Sequence, residues 1–191
     1  MRPFAPASLT AALLLAAGAA QAQSATYAID PTHTFVNFEI GHFGTSINRG
    51  RWDKKEGTVQ LDRAGRTGKV DITIDMNSIN TGVGPFDGHL KSPDFFNTAQ
   101  FPTARFVGER FVFSGDKVTE VQGSLTLMGK THPVTLKASN FNCYLNPMFK
   151  REVCGGDFEA TILRSQWGIS GLPMVAPDNV RLLVQVEAIK Q

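Results

Sequence analysis

Period-two alternation of apolar and polar residues runs through most of this chain, and one long stretch breaks it. Val70, Ile72, Ile74 and Met76 alternate with Asp71, Thr73, Asp75 and Asn77, which predicts a strand buried on one face. Val36, Phe38, Ile40 and His42 form a second such face, and Ala104, Phe106, Gly108, Arg110 and Val112 a third. Further faces come from Val121 to Leu127, Val134 to Ala138, Phe158 to Ile162 and Val180 to Ala188. Turn-forming residues separate the runs at Arg63–Arg66, Ser114–Asp116, Met128–Lys130 and Gly155–Asp157. Such a pattern constrains the chain to an all-β fold of about eight antiparallel strands, a sandwich or a closed barrel.

The interior decides between these two. A sandwich fills its core with side chains, whereas a barrel of about eight strands can enclose one small ligand. Several runs are long, and their inward faces carry His42, Gly108 and Arg110 among the aromatics. A packed core has little use for an unpaired charge; a lined cavity can accommodate one. The expectation is an antiparallel eight-stranded barrel.

The break in alternation spans Phe86 to Phe106 and holds five of the fourteen phenylalanines. Pro93 and Pro102 exclude a central strand there, and His89-Leu90-Lys91 reads as part of a short helix. An aromatic, partly helical insert in a β-structure is placed to line or plug an opening. Phe38, Phe43, Phe86, Phe95, Phe96, Phe106 and Trp167 are the expected wall of an apolar pocket. Strand parity puts His42 and Arg110, and the insert puts His89, in or near it as polar groups for a ligand's head. For any single one of these residues, a purely structural role is the plainer reading.

The chain opens with Arg2, an apolar run from Ala11 to Ala20, and Ala20-Gln21-Ala22. These are the parts of a secretory signal peptide cleaved after Ala22, with a run too short to serve as a stable membrane anchor. Residues 23–191 then form one domain, exported to the periplasm or beyond. Losing Arg2 lowers the formal charge of +2 by one, so nothing points to a nucleic-acid partner. Cys143 and Cys154 are the only cysteines; in an oxidising compartment they are expected to pair as a structural disulfide.

No catalytic motif is legible. Gly168-Ile169-Ser170-Gly171 lacks the spacing of a nucleophile elbow, and no phosphate-binding loop or dinucleotide fingerprint occurs. His33, His42, His89 and His132 have no partner at ligand spacing, so no metal site and no cofactor are expected. Asp87 and Asp94, which bracket the helical turn, read as local caps rather than catalytic acids.

Several segments together resemble one family. They are Tyr27-Ala28-Ile29-Asp30-Pro31-Thr32-His33-Thr34, the strand Val36–His42, the insert FDGHLKSPDFFNTAQFPTARF, Gly123–Leu136 (GSLTLMGKTHPVTL), and Arg164-Ser165 with Val180–Ala188. In this order they are similar to the YceI-like polyisoprenoid-binding family over nearly the whole exported chain. The resemblance implies a lipocalin-like barrel that encloses a long isoprenoid or other long-chain lipid, with a helical segment near its opening. It implies a periplasmic location, no catalytic activity and, in some members, a homodimer. Trp167 stands where many relatives have a smaller phenylalanine, which would shorten the pocket. The function expected from sequence is therefore carriage of a polyprenyl, quinone-like or fatty-acyl lipid. Catalysis inside the cavity with His42 as base, and work through a protein partner, are the competing readings.

Overall fold

The computed structural model describes residues 24–191; the expected signal peptide, residues 1–22, lies outside them. Eleven strand segments form one antiparallel sheet. They are β1 (Ala25–Ile29), β2 (Phe35–His42), β3 (Ser46–Trp52), β4 (Lys55–Asp62), β5 (Thr67–Asp75), β6 (Ile79–Asn80), β7 (Thr103–Ser114), β8 (Lys117–Leu127), β9 (Lys130–Leu145), β10 (Glu152–Leu163) and β11 (Asn179–Lys190). Six of these segments are halves of three interrupted staves. β1 and β2 lie end to end along the same edge of β11. β3 and β4 follow each other along them, and β5 and β6 along β3 and β4. The eleven segments thus make eight staves, each hydrogen-bonded to the next in sequence, and the β1–β11 pairing closes the ring. The expected eight-stranded antiparallel barrel is what the chain forms.

The three interruptions fall side by side, at Asp30–Thr34, Asp53–Lys54 and Met76–Ser78, and divide the barrel into two ends. The turn at Asp30 shows how local chemistry makes such a break. Its carboxylate accepts from the Thr32 N–H at 2.9 Å and the Thr32 hydroxyl at 2.6 Å, and meets His33 Nδ1 at 2.8 Å. Burial alone would raise the pKa of Asp30, but these bonds outweigh it and bring the value down to about 2. The same bond, with the carboxylate's charge, raises that of His33. A lowered carboxyl pKa stabilises the fold above the unfolded value near 3.9, and that contribution is lost as pH falls through about 2. The contribution from His33 has the opposite sense and fades as pH rises through its raised value. We therefore expect Asp30→Asn to cost about 1–2 kcal/mol at neutral pH after allowance for solvent screening. In urea denaturation the gap from the unmodified protein should narrow below about pH 4 and close as pH falls through about 2.

The barrel wall is continuous at the β1/β4 end. Tyr27, 3% exposed, donates its hydroxyl to Glu152, whose other oxygen takes Arg63 Nη2 at 2.8 Å. Burial, followed by the neighbouring carboxylate, holds the Tyr27 phenol well above its ordinary pKa. Near this end Cys143 and Cys154 sit directly opposite each other on β9 and β10 and form a disulfide. Reduction is expected to lower stability by about 2–3 kcal/mol on chain entropy, read as a lower Tm with dithiothreitol and without.

Two sequence expectations need correction here. Gly155-Gly156-Asp157 is not a turn but lies within β10, paired with Asn142, Phe141 and Asn140; the hairpin reverses over residues 146–151 instead. The glycines are there because neighbouring strands come close: an added Cβ would stand 2.1 Å from the Val186 carbonyl oxygen at Gly155 and from that of Asn140 at Gly156. A bulge between Gly108 and Arg110 also reverses the parity of β7. Phe111 and Phe113 turn to the core cluster, and Arg110 is exposed rather than inward.

Candidate functional site

At the other end β6 is only two residues long, and the wall between β6 and β7 is missing. The insert fills that gap. Helix α1 (Gly84–Lys91) starts with Pro85 in its first turn and buries Leu90. Eight residues are too few to hold a helix in water, so tertiary contacts must fix it. Asp87 accepts from both the N–H and the hydroxyl of Thr81 at 2.7 Å, tying the first turn to the end of β6. Beyond the helix the chain folds back, with the Phe96 N–H on the Leu90 carbonyl at 3.0 Å and Thr98 N–H on Lys91 at 3.1 Å. Phe101 leaves the insert to pack against Gly129 in the β8–β9 turn.

Between this insert and the opposite wall lies a cavity of about 330 Å³, within the size range of small-molecule sites. Val36, Phe38, Ile40 and His42 line it from β2; Ala104, Leu125, Ile162 and Leu182 line it from the far strands. Phe86, His89 and Leu90 come from α1, and Phe95 and Phe96 from the segment after it. Aromatic rings connect wall and insert: Phe38 to Trp52 at 5.3 Å between centroids, and Trp52 to Phe96 at 5.7 Å. The surface is apolar except at a few points. His42, Asn48, His89 and Arg164 are its polar or charged members, with the Trp52 indole. Among the described residues Trp52 Nε1 is buried without a hydrogen-bond partner.

The structure brings together Phe38, His42, Phe86, His89, Phe95 and Phe96 as the sequence predicts. Phe106 lines a separate, smaller space deeper in the barrel. Three other expected pocket residues are elsewhere. Phe43 follows the end of β2 in a left-handed turn, φ 50°, and is 63% exposed at the rim. Arg110 is outside because of the β7 bulge. Trp167 is 1% exposed but packs edge-on to His132 at 5.0 Å and donates Nε1 to the Leu125 carbonyl at 3.2 Å. It seals the 164–167 turn against β8 and β9, so its size does not shorten the cavity.

Sequence reading missed Trp52, Asn48 and the loop at residues 168–178. That loop forms the second lip of the opening through Ile169, Leu172, Val175 and Ala176, and the Phe43 N–H donates to Val175 at 2.8 Å. Arg164, 5% exposed, holds the loop in shape. Its guanidinium donates to the carbonyls of Pro177 (3.0 Å), Ile169 (3.2 Å) and Ala176 (3.0 Å). Phe43, Leu172 and Met174 stand exposed around the mouth.

The arrangement is suited to enclosing an apolar body and presenting a few polar groups to its end. Its titratable lining groups are His42, His89 and Arg164, and the last is committed to backbone carbonyls. Comparison with known proteins agrees on the architecture. The YceI-like domain matches residues 27–188. A curated relative, Protein YceI of Salmonella arizonae, is 35% identical over 184 residues, covering 95% of this chain and 94% of that one. The crystal structure of Burkholderia cenocepacia BcnA superposes with a TM-score of 0.69 at 22% identity, over 83% of this chain and 98% of that one. A polyisoprenoid binding domain from Saccharophagus degradans, implicated in plant cell wall breakdown, superposes at 0.58 with 16% identity, over 88% and 100%.

Proposed function

The chain belongs to the YceI-like domain family, and on that premise we propose that it binds and carries a long-chain isoprenoid or similar amphiphilic lipid inside the barrel. The observation that carries this reading is the cavity of about 330 Å³ with an almost wholly apolar wall, covered by α1 and opening beside His42 and Leu172. Burying an apolar chain there gains about 0.8 kcal/mol per methylene, so binding is driven by the tail. His42, Asn48 and His89 are placed to meet a hydroxyl, carbonyl or carboxylate head, and the unpaired Trp52 N–H supplies a further donor. The polyisoprenoid named for the Saccharophagus degradans domain is the same chemistry. The signal-like residues 1–22 support a periplasmic carrier.

Entry is proposed through the mouth, where Phe43, Leu172 and Met174 form an exposed apolar rim. Trp52 lies in the cavity wall, so its fluorescence is a reporter. Titration with geranylgeraniol should change the emission saturably, and a Trp52→Phe variant should lose most of that response. A linear, non-saturating response in the unmodified protein would refute binding in the cavity.

A further inference from the structure

A second, apolar space of about 60 Å³ lies deeper in the barrel. The two cavities are stacked along β5, β7, β8, β10 and β11. On β5, Ile72 lines the deeper one and Ile74 the upper; on β11, Val184 and Leu182 divide in the same way. Inward neighbours on one strand are spaced by about 7 Å, so a single layer of side chains parts the two. At that layer β8 and β10 contribute only Gly123 and Ala160, between the residues that line the deeper space and those that line the upper one.

Phe106 covers the gap that these small residues leave from the deeper side, where it lines the smaller space. Its Cζ lies 2.9 Å from where a Cβ on Gly123 would stand, and its Cε1 3.2 Å from the corresponding point on Gly108. Gly108 and Gly123 face each other directly across β7 and β8. The ring therefore rests over a pair of positions kept free of side chains, and it is 7% exposed. Ala104, the next inward residue on β7, belongs to the upper cavity.

We propose that Phe106 sets the length of lipid chain this protein accepts, as the partition that separates the upper cavity from a space the tail could otherwise enter. This rests on the lipid-binding reading above. A tail that fits the upper cavity gains with every added isoprene unit; a longer one leaves its excess outside the mouth and gains nothing more.

Titration with farnesol, geranylgeraniol and solanesol tests this. In the unmodified protein the affinity gain should level off along the series. Phe106→Ala should join the two spaces and raise the solanesol-to-farnesol affinity ratio by about tenfold or more. Phe106→Leu, a smaller opening with less loss of packing, should raise the ratio by about threefold, and it decides the matter if the alanine variant does not fold. An unchanged ratio in folded variants overturns the role of Phe106 while leaving the carrier reading intact. Failure of the unmodified protein to bind any prenol removes the carrier reading, and this proposal with it.

Discussion

Ala104→Trp is expected to weaken prenol binding by roughly 30- to 150-fold while leaving the barrel folded. Ala104 is 4% exposed and its side chain lines the main cavity from the start of β7, where the insert joins the wall. A larger side chain in a close-packed core usually forces shifts that cost about 1–3 kcal/mol. Here it projects into open volume, so the indole can be housed without moving the strands. What it takes is space the ligand would occupy. Excluding about three methylenes, at about 0.8 kcal/mol each, removes about 2–3 kcal/mol of binding. The circular dichroism spectrum should match the unmodified protein, and Tm should hold or rise. Ala104→Leu should fall between the two in affinity. A tryptophan variant that folds and binds geranylgeraniol with unchanged affinity would place the ligand elsewhere.

The second large effect is expected at Arg164. Methionine in its place keeps much of the volume and removes the cost of burying a cation, a saving that makes some buried charges neutral to replace. That saving is outweighed here, because among the described residues the guanidinium donates to backbone carbonyls and not to a carboxylate. It serves the carbonyls of Pro177, Ile169 and Ala176 at 3.0–3.2 Å, and all three lose their donor together. A buried acceptor left unpaired costs about 1–3 kcal/mol. Pro177 is exposed, so its carbonyl can turn to water and the sum stays below the maximum. We expect about 3 kcal/mol in all, a Tm lower by about 6–12 °C. Because the same loop supplies Leu172, Val175 and Ala176 to the cavity, prenol affinity should fall as well. Arg164→Lys should recover little of either, since one ammonium cannot reproduce a three-way fork.

Where alternation reports burial, the sequence is an adequate guide. β2 and β5 face inward through the residues their patterns mark, and the aromatic insert lies where the wall is incomplete. β3 is illegible for a physical reason. Its inward residues are Asn48, Gly50 and Trp52, and a strand that borders a cavity has no need to be apolar throughout. Gly50 is small because the Phe38 ring occupies its side-chain position, 2.5 Å from an added Cβ. Arg110 was misplaced because a bulge shifts parity by one residue without changing composition. Phe43 was misplaced because a turn follows His42. Arg164 and its loop follow no period at all, and their order comes from side-chain-to-backbone bonds that join residues up to thirteen positions apart. The likeness to a known family took in Arg164 and Ser165 but not the loop, and assigned them no role.

Whether the barrel holds a lipid is read from what it carries when made by a cell. The protein should be expressed with its export signal, purified without detergent, extracted with organic solvent and analysed by mass spectrometry, with Ala104→Trp prepared in parallel. A prenyl-chain lipid is expected in the unmodified extract, depleted in the variant. An extract free of lipid, together with no uptake of added geranylgeraniol, would contradict it.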